Sequence, residues 1–562
     1  MATAFLAVAA ATTSAPLNPA YRAGEFAFYL DDLAAAALVV QAGDPTPART
    51  VAQERGIPIL ELQPDRSGPV GLFHLSGTTG RVATEPDLPQ GQDVALILHT
   101  SGTTSRPKMV PLTQANLVAS ATNIQAALAL SPADRCLNIM PLFHIHGLIG
   151  ALLASLRAGA SVVCTPGFEA PRFFDWLDSS AATWYTAVPT MHQAILARAT
   201  THSAAIHRSR LRLIRSASSA LAPQVMEALE QTFGVPLIEA YGMTEASHQI
   251  ASNPLPPGAR KPGSVGLPVG LEVAILDADG QVLPPNTTGE IALRGANVTA
   301  GYLNNSEANA QAFTNGWFRT GDQGMIDSDG YVSISGRLKE LINRGGEKIA
   351  PREIDEVLLA HPAIAQAVSF AIPHPLLGET VAAAVVARSE AHVSEREVRA
   401  FAAQQLADFK VPEQVVIVDE IPKGPTGKIQ RIGLAKQLGL DTAQSELPPP
   451  RPYRAPQTPL ETDLVAIWEQ VLKRVPVGVD DHFLALGGDS VLAAQIVVRV
   501  RETFQIDLTL IDFFVEPTVA ALALVVVQRQ AAQVGSDDLA ALLDELEQTP
   551  HDRDHTNHPT DC

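Results

Sequence analysis

The sequence predicts a multidomain α/β protein: a large domain of layered sheets and helices, a small α+β lobe, and an all-helical module behind a proline-rich linker. Three observations carry that expectation. The chain has 562 residues, too many for one compact domain and enough for three or four. Over residues 1–336, short β-branched runs alternate with Ala- and Leu-rich stretches of helical period, the pattern of an α/β domain with largely parallel sheets. Beyond residue 458 the apolar spacing is helical only, as in a small four-helix bundle.

Composition narrows the functional classes. Lys and Arg number 40 against 59 Asp and Glu, a net charge of −19; so acidic a surface repels phosphate backbones and anionic membranes. A local pocket can still hold a nucleotide. With 46% hydrophobic and 18% charged residues, the chain can bury several cores and is not a disordered polymer. The three cysteines, Cys136, Cys164 and Cys562, lack metal-ligand spacing and form no disulfide framework, which fits a reducing cytoplasm. The apolar opening ATAFLAVAAATTSA has no Lys or Arg before Arg22 and is not read as an export signal. No apolar run reaches the ~20 residues of a membrane helix.

In the large domain, DVALILHTSG reads as a strand entering a Gly-rich loop and QANLVASATNIQAALAL as the helix after it; SVVCTP and LRLIRSASSA read as further strands. The small lobe, residues 337–438, holds a helix at PREIDEVLLAHP, strands at AVSFAIP and VAAAVVA, and a helix at SEREVRAFAAQQL. Residues 439–458 form the linker, where clustered prolines enforce an extended spacer. The helical module spans 459–534, with helices at TPLETDLVAIWEQVL, SVLAAQIVVRVRETF and TVAALALVVVQRQ, and residues 535–562 form a polar tail.

The run LHTSGTTSRPKMVPL carries the first chemical signal. Thr100, Ser101, Gly102, Thr103 and Thr104 are small, hydroxyl-rich and able to turn backbone N–H groups onto phosphate oxygens, with Lys108 adding charge. It is not a Walker A loop, because Pro107 and Met109 stand where that loop needs Gly and Ser or Thr. Alone it would be an ordinary Ser/Thr-rich turn. Five further segments follow in order: EAYGMTEASH, GYLNN, GWFRTGD, GYVSISGRLKELINRGGEKIAPREID and PKGPTGKIQR.

Together these segments resemble the superfamily of adenylate-forming enzymes, which includes acyl- and aryl-CoA ligases and the adenylation domains of peptide synthetases. The likeness runs from about Phe5 to Gln437. SNPLPPGARKPGSVGLPVG and LNPAY bring it nearest to oxalate–CoA ligases and, more loosely, 4-coumarate–CoA ligases. The resemblance implies attack of a carboxylate on the α-phosphate of ATP, then transfer of the acyl group to a thiol. Residues 101–104 would hold phosphates. Glu245 would be the Mg²⁺-associated carboxylate and Thr244 a phosphate-contacting hydroxyl. Tyr241 would face adenine, Asp322 would accept the ribose hydroxyls, and Arg337 would lie on the ribose side. Lys428, on a presented Gly-Pro-Thr-Gly turn, would contact the carboxylate and α-phosphate. Lys339 occupies the hinge position, and Gly345 and Gly346 would leave room for a pantetheine arm, although RGGEKIAP also reads as an ordinary helix-start turn. Family members carry further strands and helices before the segment matching FLAVAAATTSAPLNPAY; the large domain is therefore expected to be incomplete at its start, with Met1 a misassigned initiation codon.

DDHFLALGGDSVLAAQIVVRV resembles the attachment site of acyl- or peptidyl-carrier domains, with Ser490 as the serine that receives 4′-phosphopantetheine from a phosphopantetheinyl transferase. A bare GGDS could equally be a helix cap. The expected activity is thus an AMP-forming acid–thiol ligase loading its own Ser490 and handing the acyl group to a downstream enzyme. The alternative is a ligase that releases free acyl-CoA, with the helical module serving only as a docking unit. A luciferase-like oxygenase has no discriminating residue here.

The acid is read from few positions. In PLFHIHGL, His144 stands where amino-acid-activating relatives place an aspartate for the substrate ammonium, and an unpaired buried ammonium is costly, so an α-amino acid is disfavoured. His248, just after Glu245, and the serines Ser216 and Ser218 in IRSASSAL offer polar groups suited to a small, oxygen-rich acid such as oxalate. His248 could also be a core histidine satisfied by backbone.

Overall fold

The computed structural model describes residues 1–77, 88–100, 107–374, 377–388, 391–422, 431–441, 452–483, 485–487, 490–509, 512–513 and 517–533. The chain divides into two compact units, Met1–Lys339 and Glu340–Cys562.

The first unit is built around a seven-stranded sheet. From one edge its strands are Leu267–Pro268, His248–Ser252, Leu237–Met243, Leu213–Ser216, Trp184–Ala187, Arg135–Asn138 and Ser161–Cys164. The five from Leu237–Met243 to Ser161–Cys164 run parallel. They read as nearly continuous apolar runs because helices cover both faces. Leu137, Tyr185, Ile214 and Leu237 pack on one side with Phe173, Phe174, Ile195 and Leu229. The other core joins Leu96, Leu112, Leu148, Trp184 and Ile238, and it takes in Phe5 and Ala9 of the opening helix Ala2–Ala9.

Two expectations need correction. The sheets are not largely parallel past Pro268: Glu272–Leu276, Gly289–Arg294, Phe313–Thr314, Trp317–Ile326 and Val332–Arg337 form an antiparallel sheet. Its strands follow one another without the crossover helix that parallel neighbours require. Nor does the chain pass from the phosphate loop directly into a helix. The strand Val94–Thr100 pairs antiparallel with Lys108–Thr113, so residues 101–107 stand between the two arms of a hairpin. Pro111 hid the second arm; a two-stranded ribbon has the edge that proline needs. The helix then starts at Gln114, where Thr113 Oγ1 accepts the Asn116 N–H at 3.1 Å and the Asn116 side chain accepts the Thr113 N–H, a reciprocal cap that satisfies two otherwise orphan donors.

In the second unit, the long hairpin Ile364–His374 with Gly378–Ala387 is flanked by Gln414–Ile417 and covered by the helices Pro351–Leu359 and Glu395–Ala403. Residues 459–533 supply the helices Pro459–Leu472, Ser490–Phe504 and Val519–Gln533. Thr458 caps the first of these, with Pro459 at its first turn and Glu461 closing the capping box. Their core is aromatic at its centre, Trp468, Phe483 and Phe513 lying with ring centroids 5.0–5.5 Å apart. The tail expected at 535–562 lies outside the described residues. Among the described residues, no helix is long and apolar enough to cross a membrane.

Candidate active site

The candidate nucleotide residues of the first unit converge at the ends of neighbouring strands. Thr100 ends one arm of the hairpin and Lys108 begins the other, and the two are register partners. Ser101, Gly102, Thr103 and Thr104 lie outside the described residues. Lys108 Nζ sits 4.4 Å from the centroid of the Tyr302 ring, a cation over a π face, and the Tyr302 hydroxyl donates to Glu245 Oε1 at 3.0 Å. Burial lowers the Lys108 pKa, as does the neighbouring Lys339 charge, while Glu245 opposes both. Glu245 is itself buried, and loss of solvent raises its pKa against the pull of the Tyr302 bond, Arg337 and Lys108. A buried carboxylate facing cations and a hydroxyl fits a divalent metal, which would supply the charge that burial withholds. Thr244 and Glu245 lie in a single 3₁₀ turn. It is tied down by Asn297 Nδ2 donating to the Ala246 carbonyl at 2.9 Å and by the Thr299 N–H donating to the Glu245 carbonyl at 2.7 Å.

Asp322 lies within the strand Trp317–Ile326, opposite Arg337 on the next strand. Its side chain is buried, accepts the Tyr241 hydroxyl at 2.5 Å and pairs with Arg337 Nε at 3.1 Å. Burial pushes the Tyr241 pKa well up, and the Asp322 charge adds to it, so the tyrosine remains a donor.

The candidate acid pocket occupies the ends of the adjoining strands. His248 is 1% exposed; its ring stacks on that of His146 with centroids 4.8 Å apart. His146 bonds to Ser218 Oγ at 3.0 Å through Nδ1 and to Thr186 Oγ1 at 2.6 Å through Nε2. Arg215, wholly buried, places one guanidinium nitrogen 3.0 Å from His248 Nε2 and donates with another to Gln249 Oε1 at 2.6 Å. Ser216 Oγ is buried with no hydrogen-bond partner among the described residues. His144 packs its ring on Phe143, 4.5 Å between centroids; it is His146, two residues on, that joins the cluster.

Sequence reasoning missed Arg215, His146 and Thr186, and gave no role to Tyr302, which stands in the GYLNN segment. A charged residue inside the run LRLIRS was a usable signal, because an arginine on a fully covered strand must meet buried partners. The second histidine of HIHG was another. In the second unit, Gly345 and Gly346 are not a helix-start turn but the tip of a hairpin between Ile342–Arg344 and Glu347–Ile349, with φ of 60° and 99°. The Gly-Gly pair supplies the left-handed conformation that a two-residue hairpin demands. The helix starts later, at Pro351. Lys428 lies outside the described residues. Lys339 closes the first unit, and Ser490 is the first residue of the helix Ser490–Phe504.

A largely parallel sheet with the buried Glu245 turn beside it, a separate hairpin bearing Lys108, and a buried Asp322–Arg337 pair on the antiparallel sheet bonded to Tyr241 together have the make-up of a nucleotide-using α/β enzyme. Residues 1–303 match the AMP-binding enzyme family, 353–428 its C-terminal domain and 462–526 the phosphopantetheine attachment site. The chain belongs to the AMP-binding enzyme family and is an AMP-forming acid–thiol ligase with a phosphopantetheine attachment domain. It is similar to the oxalate–CoA ligase of Arabidopsis thaliana, 48% identical over 76% of this chain and 84% of that protein. The oxalate–CoA ligase of Saccharomyces cerevisiae is 44% identical over 76% and 82%. Among solved structures, ATP-bound MatB from Rhodopseudomonas palustris superposes with a TM-score of 0.69 at 30% identity, covering 77% of this chain and 85% of that one.

Proposed function

We propose that this enzyme activates oxalate, or a comparably short oxygen-rich acid, and passes the acyl group to a phosphopantetheine thiol on its own Ser490. The observation that carries the choice of acid is the buried polar cluster of Arg215, His248, His146 and Ser218. An aryl or long acyl chain needs an apolar tunnel, whereas stacked imidazoles, hydroxyls and a guanidinium suit a substrate with oxygens at both ends. The activity named for the plant and yeast relatives supports the same acid.

In this reading Thr100–Thr104 and Lys108 hold the phosphates, and Glu245, with Thr244 beside it, holds Mg²⁺. A bound magnesium ion would supply positive charge near the α-phosphate, and Lys428 adds an ammonium where the carboxylate attacks. Tyr241, Asp322 and Arg337 bind the adenosine; His146 in place of the expected His144, with Ser216, Ser218 and His248, surrounds the acid. Lys339, at the division between the units, serves as the hinge between the two half-reactions, and Gly345 and Gly346 leave passage for the pantetheine arm. A phosphopantetheinyl transferase loads Ser490, and a downstream enzyme takes the acyl group. The cysteine content suits a reducing cytoplasm for all of this.

The tether favours self-loading, since linkage places the acceptor thiol at roughly millimolar effective concentration. Release as free acyl-CoA is the second reading, favoured by the CoA-ligase names of both relatives. Pyrophosphate release over a panel of acids tests the substrate; preference for octanoate or coumarate over every short dicarboxylate refutes it. Radiolabelled acid supplied to the phosphopantetheinylated enzyme together with CoA should remain bound to protein, and should not in Ser490→Ala. Label found only in soluble acyl-CoA establishes the second reading instead.

A further inference from the structure

Arg215 carries a charge that no carboxylate offsets among the described residues: none lies within 4.0 Å of its guanidinium, and Nε has no hydrogen-bond partner there. Burying such a charge is destabilising, so its retention needs a reason other than stability. Burial pulls its pKa down only to about 10, and the group is a cation at neutral pH. A guanidinium has donors and no acceptor. The 3.0 Å contact with His248 Nε2 therefore requires Nε2 to be the unprotonated nitrogen.

We propose that Arg215 is a positioning residue for acid selection: it holds His248 as the neutral tautomer protonated on Nδ1 and lends the pocket a positive charge met only when a doubly anionic acid binds. The proposal rests on the acid-pocket reading above. Protonating Nε2 would set two cations face to face at 3.0 Å in a buried site, so His248 resists becoming imidazolium. The guanidinium also polarises the ring, strengthening the Nδ1–H as a donor. Backbone geometry agrees. His248 has φ of 98°, a region that non-glycine residues rarely occupy, directly after Ser247 at 50°. Ser120 Oγ donating to the Ser247 carbonyl at 2.6 Å and Asn297 Nδ2 donating to the Gln249 carbonyl at 2.8 Å hold that kink. Strain of this kind persists only where surroundings over-determine it. On the elements packed against His248, the titratable groups are His146 on the π-helix, Arg215 on the parallel strand, Glu239 and Tyr241 on the strand Leu237–Met243, and Glu245 on the turn after it; the Glu239 carboxylate is buried and accepts the Leu221 N–H, and the helix Gln114–Ala127 and the strand Leu267–Pro268 bring none.

The test uses the full-length enzyme with ¹⁵N-labelled histidine. Long-range ¹H–¹⁵N spectra, assigned with His248→Gln, should show the His248 proton on Nδ1 and no titration of that ring between pH 6 and 8, the range around the ordinary histidine pKa of ~6.5. In Arg215→Gln, which keeps an N–H donor but removes the charge, the ring should begin to titrate in that range. Arg215→Lys, which keeps the charge, should restrain it. KM for oxalate should rise roughly tenfold in Arg215→Gln, while KM for glyoxylate, a monoanion of similar size, and for ATP hold. A wild-type His248 protonated on Nε2, or a ring whose titration is the same in Arg215→Gln, overturns the proposal. Acid preference is read separately, so a correct tautomer combined with a preference for long acids refutes the pocket's substrate and leaves the Arg215–His248 coupling standing.

Discussion

Glu245 shows the conflict between stability and chemistry at a single residue. Burial raises its pKa, so ionising it costs more in the folded protein than in the unfolded chain. The contribution of a carboxyl with a raised folded pKa is present below the unfolded value and is lost as pH rises through the folded one. Glu245→Gln should therefore melt higher than the wild type at pH 8 in the absence of nucleotide and metal. That difference should shrink as the pH falls and Glu245 itself takes up a proton. The same variant should lose adenylation. Calorimetric scans over pH check the first expectation and pyrophosphate release the second. His248→Ala should weaken the acid roughly tenfold or more while ATP affinity holds, measured as separate KM values. Glu245, Asp322 and His248 were legible in the sequence because each stands in a motif of fixed local spacing. Arg215 and His146 were not: their importance comes from meeting each other's partners across 33 and 40 residues of chain, which no local pattern encodes.

Among the elements, the π-helix His146–Leu153 does most to shape the pocket. Wide helical turns of this kind are rare and collect at functional sites. Here Gly150 leaves the space that two imidazoles fill. A Cβ at that position would lie 2.6 Å from His248 Cδ2 and Nε2 and 3.1 Å from His146 Cδ2, and rings held by Arg215, Ser218 and Thr186 have little freedom to yield. Gly150→Ala should raise KM for the acid at least roughly tenfold, with KM for ATP unchanged and the fold intact by circular dichroism; unaltered acid kinetics would show that the rings are not confined as described. Helices were the easier elements to anticipate, since caps such as Thr113, Ser394 and Thr458 announce themselves in sequence. The Lys108–Thr113 and Glu347–Ile349 strands were harder: the first contains a proline, the second has only three residues, and each is made by its partner.

For the molecule as a whole, the division at Lys339 and the attachment domain at 462–526 predict separable steps. Lys428→Ala should cut acyl-adenylate formation by roughly a hundredfold or more and spare thioester formation from supplied acyl-AMP; equal loss in both half-reactions would deny the lysine its role. Intact mass after treatment with a phosphopantetheinyl transferase and CoA should gain one phosphopantetheine, and none in Ser490→Ala. The sequence alone determined the class of chemistry, the order of the parts and most helices and parallel strands, because those rest on short-range periodicity, caps and contiguous motifs. The tertiary structure alone decided which polar residues share the acid pocket, which strands run antiparallel, and that Asp322 is a buried strand residue paired with Tyr241 and Arg337. Those outcomes depend on which distant segments meet in the dry interior, where an unpaired donor or charge is costly enough to choose its partner.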